Sequence, residues 1–165
     1  MDSWSQQMDT LAHRVGQALE ASGAILATAE SCTGGGVATA ITEVAGSSNW
    51  FDAGFVTYSN AAKQRMLGVS EQTLAHAGAV SEAVVMEMTA GALERSGATV
   101  AVAVSGVAGP GGGSAEKPVG TVWVAWQQRG HPALARRFQF SGGRRSVREQ
   151  TVVAALEGIL ALICR

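Results

Sequence analysis

Thr99-Val100-Ala101-Val102-Ala103-Val104 decides the fold class. From Val100 to Val104 no residue is polar, so this segment reads as a strand covered on both faces rather than on one. Upstream, Ser81 is placed to cap a helix whose apolar face is Val84, Val85, Met88 and Ala92, with Gly97 as its stop. Downstream, Gly120–Trp126 and Ala133–Phe140 read as strands, the second alternating Arg137 and Gln139 with Phe138 and Phe140. The short turn between them, Gln127 to Pro132, predicts an antiparallel hairpin.

The first half of the chain supplies the remaining elements. Met8, Leu11, Val15 and Leu19 mark a helix over Ser5–Ala21, ended by Gly23. Ile25–Ala29 reads as a buried strand, followed by a helix from about Thr33 carrying Val37, Ile41 and Val44 toward Gly46. Phe55–Tyr58 is predicted as a strand, Asn60–Leu67 as a short helix, and Arg144–Ile163 as a final helix burying Val152, Leu156, Ile159 and Ile163. The predicted fold is α/β: a three-layer α/β/α sandwich with a mixed sheet including an antiparallel hairpin.

Composition narrows the function. The 165 residues suit one domain spanning 1–165, with no linker-like stretch and no run long enough to span a membrane. The N-terminus lacks the layout of a signal peptide, so a soluble cytoplasmic protein is expected. Net charge is −1 and no long basic run occurs, which argues against a nucleic-acid partner. Cys32 and Cys164 form no metal or disulfide pattern, and His13, His76 and His131 are scattered, so neither metal nor cofactor is expected. The oligomeric state is left open, homo-oligomers included.

The chemistry concentrates in Glu30-Ser31-Cys32-Thr33-Gly34-Gly35-Gly36, at a strand-to-helix turn. Ser31 reads either as a helix cap or as a nucleophile. Glycines there favour close approach and main-chain N–H groups aimed at an anion, with Thr33 to Gly35 the expected oxyanion donors. A nucleophilic serine needs a base. His76, in a polar connection before Gly78, is a poor candidate, and no Gly-x-Ser-x-Gly elbow occurs. Lysine is the other known partner. The twelve basic residues comprise ten arginines and only Lys63 and Lys117, which singles both lysines out. Lys63 follows Tyr58, the only tyrosine, where a strand passes into a helix. At an unperturbed pKa only about one lysine in 2,500 is neutral at pH 7, so Lys63 must be buried to act as a base. Tyr58 would relay the proton or hold the lysine.

A second glycine-rich stretch, Ser105-Gly106-Val107-Ala108-Gly109-Pro110-Gly111-Gly112-Gly113-Ser114, follows the central strand and reads as a binding loop. Arg144, Arg145 and Arg148 open the last helix, where basic side chains oppose the helix dipole and a bound anion explains them. Two alternatives stay open: Cys32 as the nucleophile, and a nucleotide-binding or regulatory module with no chemistry.

These residues carry a family resemblance. Ala29–Gly35, Gly46-Ser47-Ser48 with Trp50-Phe51, and Gly54–Asn60 leading to Lys63 are joined by Gly78–Glu82, Ser105–Gly112 and Lys117–Val122. In this order and spacing the chain resembles the CinA C-terminal-domain family of nicotinamide-nucleotide amidases. The resemblance implies hydrolysis of nicotinamide mononucleotide to nicotinate mononucleotide and ammonia, in pyridine nucleotide salvage. It implies a serine nucleophile with a lysine and a tyrosine, roles that fall on Ser31, Lys63 and Tyr58. Expected substrate contacts are Glu30, Thr33, Gly34 and Gly35 on the first loop, and Ser105, Gly106, Ala108 and Gly109 on the second. Arg144 and Arg145 complete the set. Longer family members add an N-terminal nucleotide-processing domain that these 165 residues do not include, so a stand-alone amidase is expected. Gly143 departs from the family pattern, which places an acidic or amide residue there.

Overall fold

The computed structural model describes residues 3–164; Met1, Asp2 and Arg165, at the ends of the stretch read as one domain, lie outside them. The elements in chain order are α1 Ser3–Ser22, β1 Leu26–Glu30, α2 Gly36–Thr42, β2 Phe51–Val56, α3 Asn60–Leu67, α4 Glu71–Ala77 and α5 Glu82–Glu94. They continue with β3 Val100–Gly106, β4 Thr121–Gln128, β5 Leu134–Gln139 and α6 Arg144–Ile163, and a 3₁₀ turn at Ser47–Asn49 precedes β2. The five strands form one sheet in the order β2-β1-β3-β4-β5. β1 runs parallel to β2 and β3, whereas β4 is antiparallel to both β3 and β5. The mixed α/β sandwich and its hairpin are as predicted.

β3 explains the layering. Val100, Val102 and Val104 face one way, with Leu26, Val122, Val124 and Trp126, against Leu11 and Val15 of α1, Ile41 of α2 and Leu156 and Ile159 of α6. Ala101 and Ala103 face the other way, with Ala27, Ala29 and Ala125, against Val84, Val85 and Met88 of α5. A strand apolar on both faces thus serves two cores. Small side chains on the second face are matched by large ones from the helix that covers it.

α5 in turn locates α3. A Cβ on Gly91 would lie 2.0 Å from the Leu67 carbonyl oxygen, so α5 meets the C-terminal end of α3 at backbone distance. Only glycine fits there.

Three elements differ from expectation. α2 begins at Gly36 rather than near Thr33, because Gly34 and Gly35 take φ of +58° and +99°, outside the helical region. It also ends at Thr42, leaving Val44 beyond it. β2 spans Phe51–Val56 rather than Phe55–Tyr58; Gly54 sits inside it, where a Cβ would come within 2.9 Å of Thr28 Oγ1. The segment before Gly78 is a helix, α4, capped by Ser70, and not a polar connection. Seven residues burying only Leu74 give no periodic signal. Among the described residues no helix is long and apolar enough to cross a membrane.

Candidate active site

The C-terminal ends of β1, β2 and β3 converge. Beyond β1, the Ser31 N–H donates to Val104 O at 3.0 Å, and beyond β2 the Thr57 N–H donates to Glu30 O at 2.8 Å. The chain leaves β1 toward β2 on one side, and leaves β3 toward β4 on the other. That is where open α/β sheets form ligand crevices.

Ser59 caps α3, its Oγ accepting from the Ala62 N–H at 3.0 Å, and Lys63 follows one turn later. Lys63 is 1% exposed. Its Nζ lies 2.9 Å from Thr57 O, 3.1 Å from Tyr58 O and 3.0 Å from Ser31 Oγ. Burial pushes its pKa below the ordinary lysine value, with Cys32 opposing weakly. Among the described residues no carboxylate contacts Lys63, so the charge that burial disfavours meets only two carbonyls, a hydroxyl and the nearby Cys32. In the neutral amine the two carbonyls take the two N–H donors and the lone pair is left to face Ser31 Oγ. The Ser31 hydroxyl has one other acceptor, Tyr58 O, at the longer distance of 3.4 Å.

Ser31 does not cap α2. Gly35 is the N-cap and offers no side chain; the Glu30 carboxylate takes the N–H groups of Val37 and Ala38 at 2.8 and 3.1 Å. The same carboxylate accepts from Thr33 Oγ1 at 2.5 Å. Ser31 is thereby left facing the crevice at 8% exposure. Next to it, Cys32 is buried, and burial with the nearby Glu30 pushes its thiol up to about 12. A protonated thiol is a poor nucleophile.

The crevice is a cavity of about 290 Å³. Ser31, Tyr58 and Lys63 form one side; Ser105, Gly106, Ala108 and Gly109 form the other, and Arg144 lies at its edge. Arg144 donates to Gly109 O at 2.7 Å and to the Tyr58 hydroxyl at 3.0 Å, bridging the two sides.

This turn, lysine and second loop coincide with a known pattern: residues 8–163 match the CinA C-terminal domain family. The chain belongs to that family. A nicotinamide-nucleotide amidohydrolase PncC of Pseudomonas putida is 60% identical over 153 residues, 93% of this chain and 95% of the relative. The PncC of Escherichia coli K12 is 58% identical over 147 residues, 89% of each. The crystal structure of the competence/damage inducible protein CihA from Agrobacterium tumefaciens superposes with a TM-score of 0.92 at 50% identity, over 94% of this chain and 95% of that one. A CinA superfamily protein from Klebsiella pneumoniae gives a TM-score of 0.92 at 43% identity, over 95% and 98%.

Within this CinA C-terminal domain, not every expected contact reaches the Ser31 cavity. Glu30 is buried and fully engaged in holding the turn, and Thr33 gives its hydroxyl to Glu30. Gly34, Gly35 and Arg145 line a different cavity, about 790 Å³, on the far side of the turn; Arg145 pairs with Glu149 at 2.8 Å. Nor are the expected N–H donors all available, since Gly34 N–H donates to Ser31 O at 3.0 Å. Tyr58 is 58% exposed, and it is its carbonyl, not its phenol, that meets Lys63.

Other participants had weaker signals. Thr57 acts through its carbonyl, which no residue type announces. Arg148, four residues after Arg144 and so on the same helix face, donates to Cys32 O and Thr33 O, both at 3.1 Å. Lys117 reaches Ala77 O at 2.5 Å, closing the C-terminus of α4 and tying the second loop to it.

Proposed function

We propose that this chain is a nicotinamide-nucleotide amidohydrolase, converting nicotinamide mononucleotide to nicotinate mononucleotide and ammonia with Ser31 as nucleophile and Lys63 as base. The observation that carries the reading is the 3.0 Å approach of Lys63 Nζ to Ser31 Oγ, with both other amine acceptors being carbonyls. Close relatives named for this activity supply the substrate.

In the first half-reaction Ser31 Oγ attacks the carboxamide carbon while its proton passes to Lys63 Nζ. The carbonyl oxygen becomes an oxyanion. Lys63 then gives the proton to the departing nitrogen, the C–N bond breaks, and ammonia leaves a nicotinoyl ester on Ser31. In the second, neutral Lys63 takes a proton from water as it attacks the ester, and returns it to Ser31 Oγ as nicotinate departs. One base serves both halves, as in other serine–lysine enzymes.

Charge on the oxyanion requires donors. Cys32 N–H, Thr33 N–H and Gly35 N–H are the groups left available on the first turn among the described residues, and of these residues Cys32 lines the Ser31 cavity. Tyr58 assists through its carbonyl on Lys63 and its hydroxyl on Arg144. Arg144, whose partners are a carbonyl and a phenol and not a carboxylate, takes the 5′-phosphate beside Gly109.

The deciding experiment is ammonia release from nicotinamide mononucleotide by the wild type and by Ser31→Ala. Turnover by the wild type and its loss in the variant, with mononucleotide binding retained, is the expected result. Full turnover by folded Ser31→Ala overturns the assignment.

A further inference from the structure

We propose that Arg148 is a positioning residue for this reaction: by holding the carbonyls of Cys32 and Thr33 it aims the N–H groups of Cys32 and Thr33 at the oxyanion. The inference rests on the amidohydrolase reading above.

The geometry follows from the planarity of the peptide bond, in which C=O and the next N–H point in opposite directions. Arg148 Nε holds Cys32 O and Nη2 holds Thr33 O, each at 3.1 Å. The first contact turns the Thr33 N–H away from α6, and the second turns the Gly34 N–H the same way. Gly34 N–H is then received by Ser31 O at 3.0 Å, which orients the peptide between Ser31 and Cys32. The Cys32–Thr33 peptide plane is therefore held by the guanidinium. The Thr33–Gly34 plane is held by the guanidinium together with the Gly36 N–H, which also donates to Thr33 O at 3.0 Å. The Ser31–Cys32 plane is held by the Gly34 hydrogen bond.

Several observations indicate that Arg148 is placed for this task. Among the described residues it has no carboxylate partner, so its charge is met by carbonyl dipoles. A cation behind these carbonyls polarises the peptides and strengthens the N–H donors on the opposite side. Gly34 supplies the turn through its φ of +58°, and a Cβ there would stand in ordinary contact, 3.6 Å from Arg148 Nη2. Glu30 anchors the exit of the same turn through Val37 and Ala38, leaving the turn itself to Arg148.

The test compares wild type, Arg148→Lys and Arg148→Met by ammonia release and by hydrogen–deuterium exchange. For Arg148→Met the expectation is kcat lower by about 10- to 100-fold, less than the roughly 10²- to 10³-fold that removal of an oxyanion donor costs, because the donors are misdirected and not lost. KM should stay within about threefold, and the pH limb set by Lys63 should not move, because neither depends on the donors. Arg148→Lys, a single-point donor able to hold one carbonyl, should fall between. Exchange over residues 30–37 should quicken in Arg148→Met. A folded Arg148→Met with kcat within twofold of wild type overturns the proposal. So does a loss of kcat with exchange over 30–37 unchanged. If the wild type released no ammonia, the reading of the reaction would fail on its own, and the exchange comparison would still decide whether Arg148 holds the turn.

Discussion

Lys63 Nζ stands 3.0 Å from Ser31 Oγ, with no carboxylate partner for the amine among the described residues. Burial lowers its pKa below the ordinary 10.5. The proposed role of Lys63 as base needs the neutral amine, so kcat/KM should rise with pH through the depressed pKa and level off above it. Lys63→Ala should lose about 10²- to 10⁴-fold in kcat with the fold intact. A flat wild-type profile down to pH 5 would remove Lys63 as the base.

The same shift has a stability consequence. A lysine whose folded pKa is depressed is protonated more readily in the unfolded chain, so between the two pKa values the unfolded state binds more protons. Wild-type stability should therefore rise with pH across the interval that ends near 10.5. Lys63→Met should lack that rise. Urea unfolding of both proteins from pH 7 to 10.5 measures the difference in slope.

Cys32 adjoins Ser31, the proposed nucleophile, but burial holds it as a thiol, its pKa pushed up to about 12. At pH 8 only about one molecule in 10⁴ carries a thiolate there. Iodoacetamide should leave activity unchanged over an hour, and Cys32→Ala should keep kcat within about threefold. Rapid alkylation of Cys32 that tracks loss of ammonia release would restore the thiol as nucleophile.

Arg144 joins Tyr58 to Gly109 across the cavity and, with Lys63, is one of the two basic residues lining it. Losing a charged hydrogen bond to phosphate costs about 1.5–3 kcal/mol. Arg144→Met should raise KM for nicotinamide mononucleotide by about 10- to 100-fold. The unphosphorylated riboside, which has nothing to offer Arg144, should be turned over equally by both proteins. An equal loss on both substrates would place Arg144 in support of Tyr58 rather than on the phosphate.

What was legible in the sequence has a physical pattern. β3 was readable because two-sided burial leaves an apolar run, and α5 and α6 because Ser81 and the apolar spacing mark them. Ser31 and Lys63 were readable by elimination of histidine, and one cavity now holds both. The hold of Glu30 on α2 was not legible, because a carboxylate capping a helix from before the turn looks, in sequence, like any carboxylate beside a reactive serine. Thr57 and Arg148 act on or through main-chain carbonyls. Their roles depend on the path of the backbone and leave no mark in residue type.

Packing far from the cavity should also reach the reaction, through Gly91. Its added Cβ would lie 2.0 Å from Leu67 O, a backbone atom that cannot rotate away. Gly91→Ala therefore has to separate α5 from the end of α3. Overpacking of this kind costs about 2–3 kcal/mol, or about 4–12 °C in Tm for a chain of this size. Lys63 rides on α3, and Nζ is held to Ser31 by a single 3.0 Å contact. Displacement of a reacting group by about 1 Å costs on the order of 10²-fold in rate. The variant should lose kcat more than KM at temperatures where circular dichroism shows it fully folded. Gly91→Ala with wild-type Tm would mean that α3 and α5 separate freely, and that the position of Lys63 is set by the Thr57 and Tyr58 carbonyls alone.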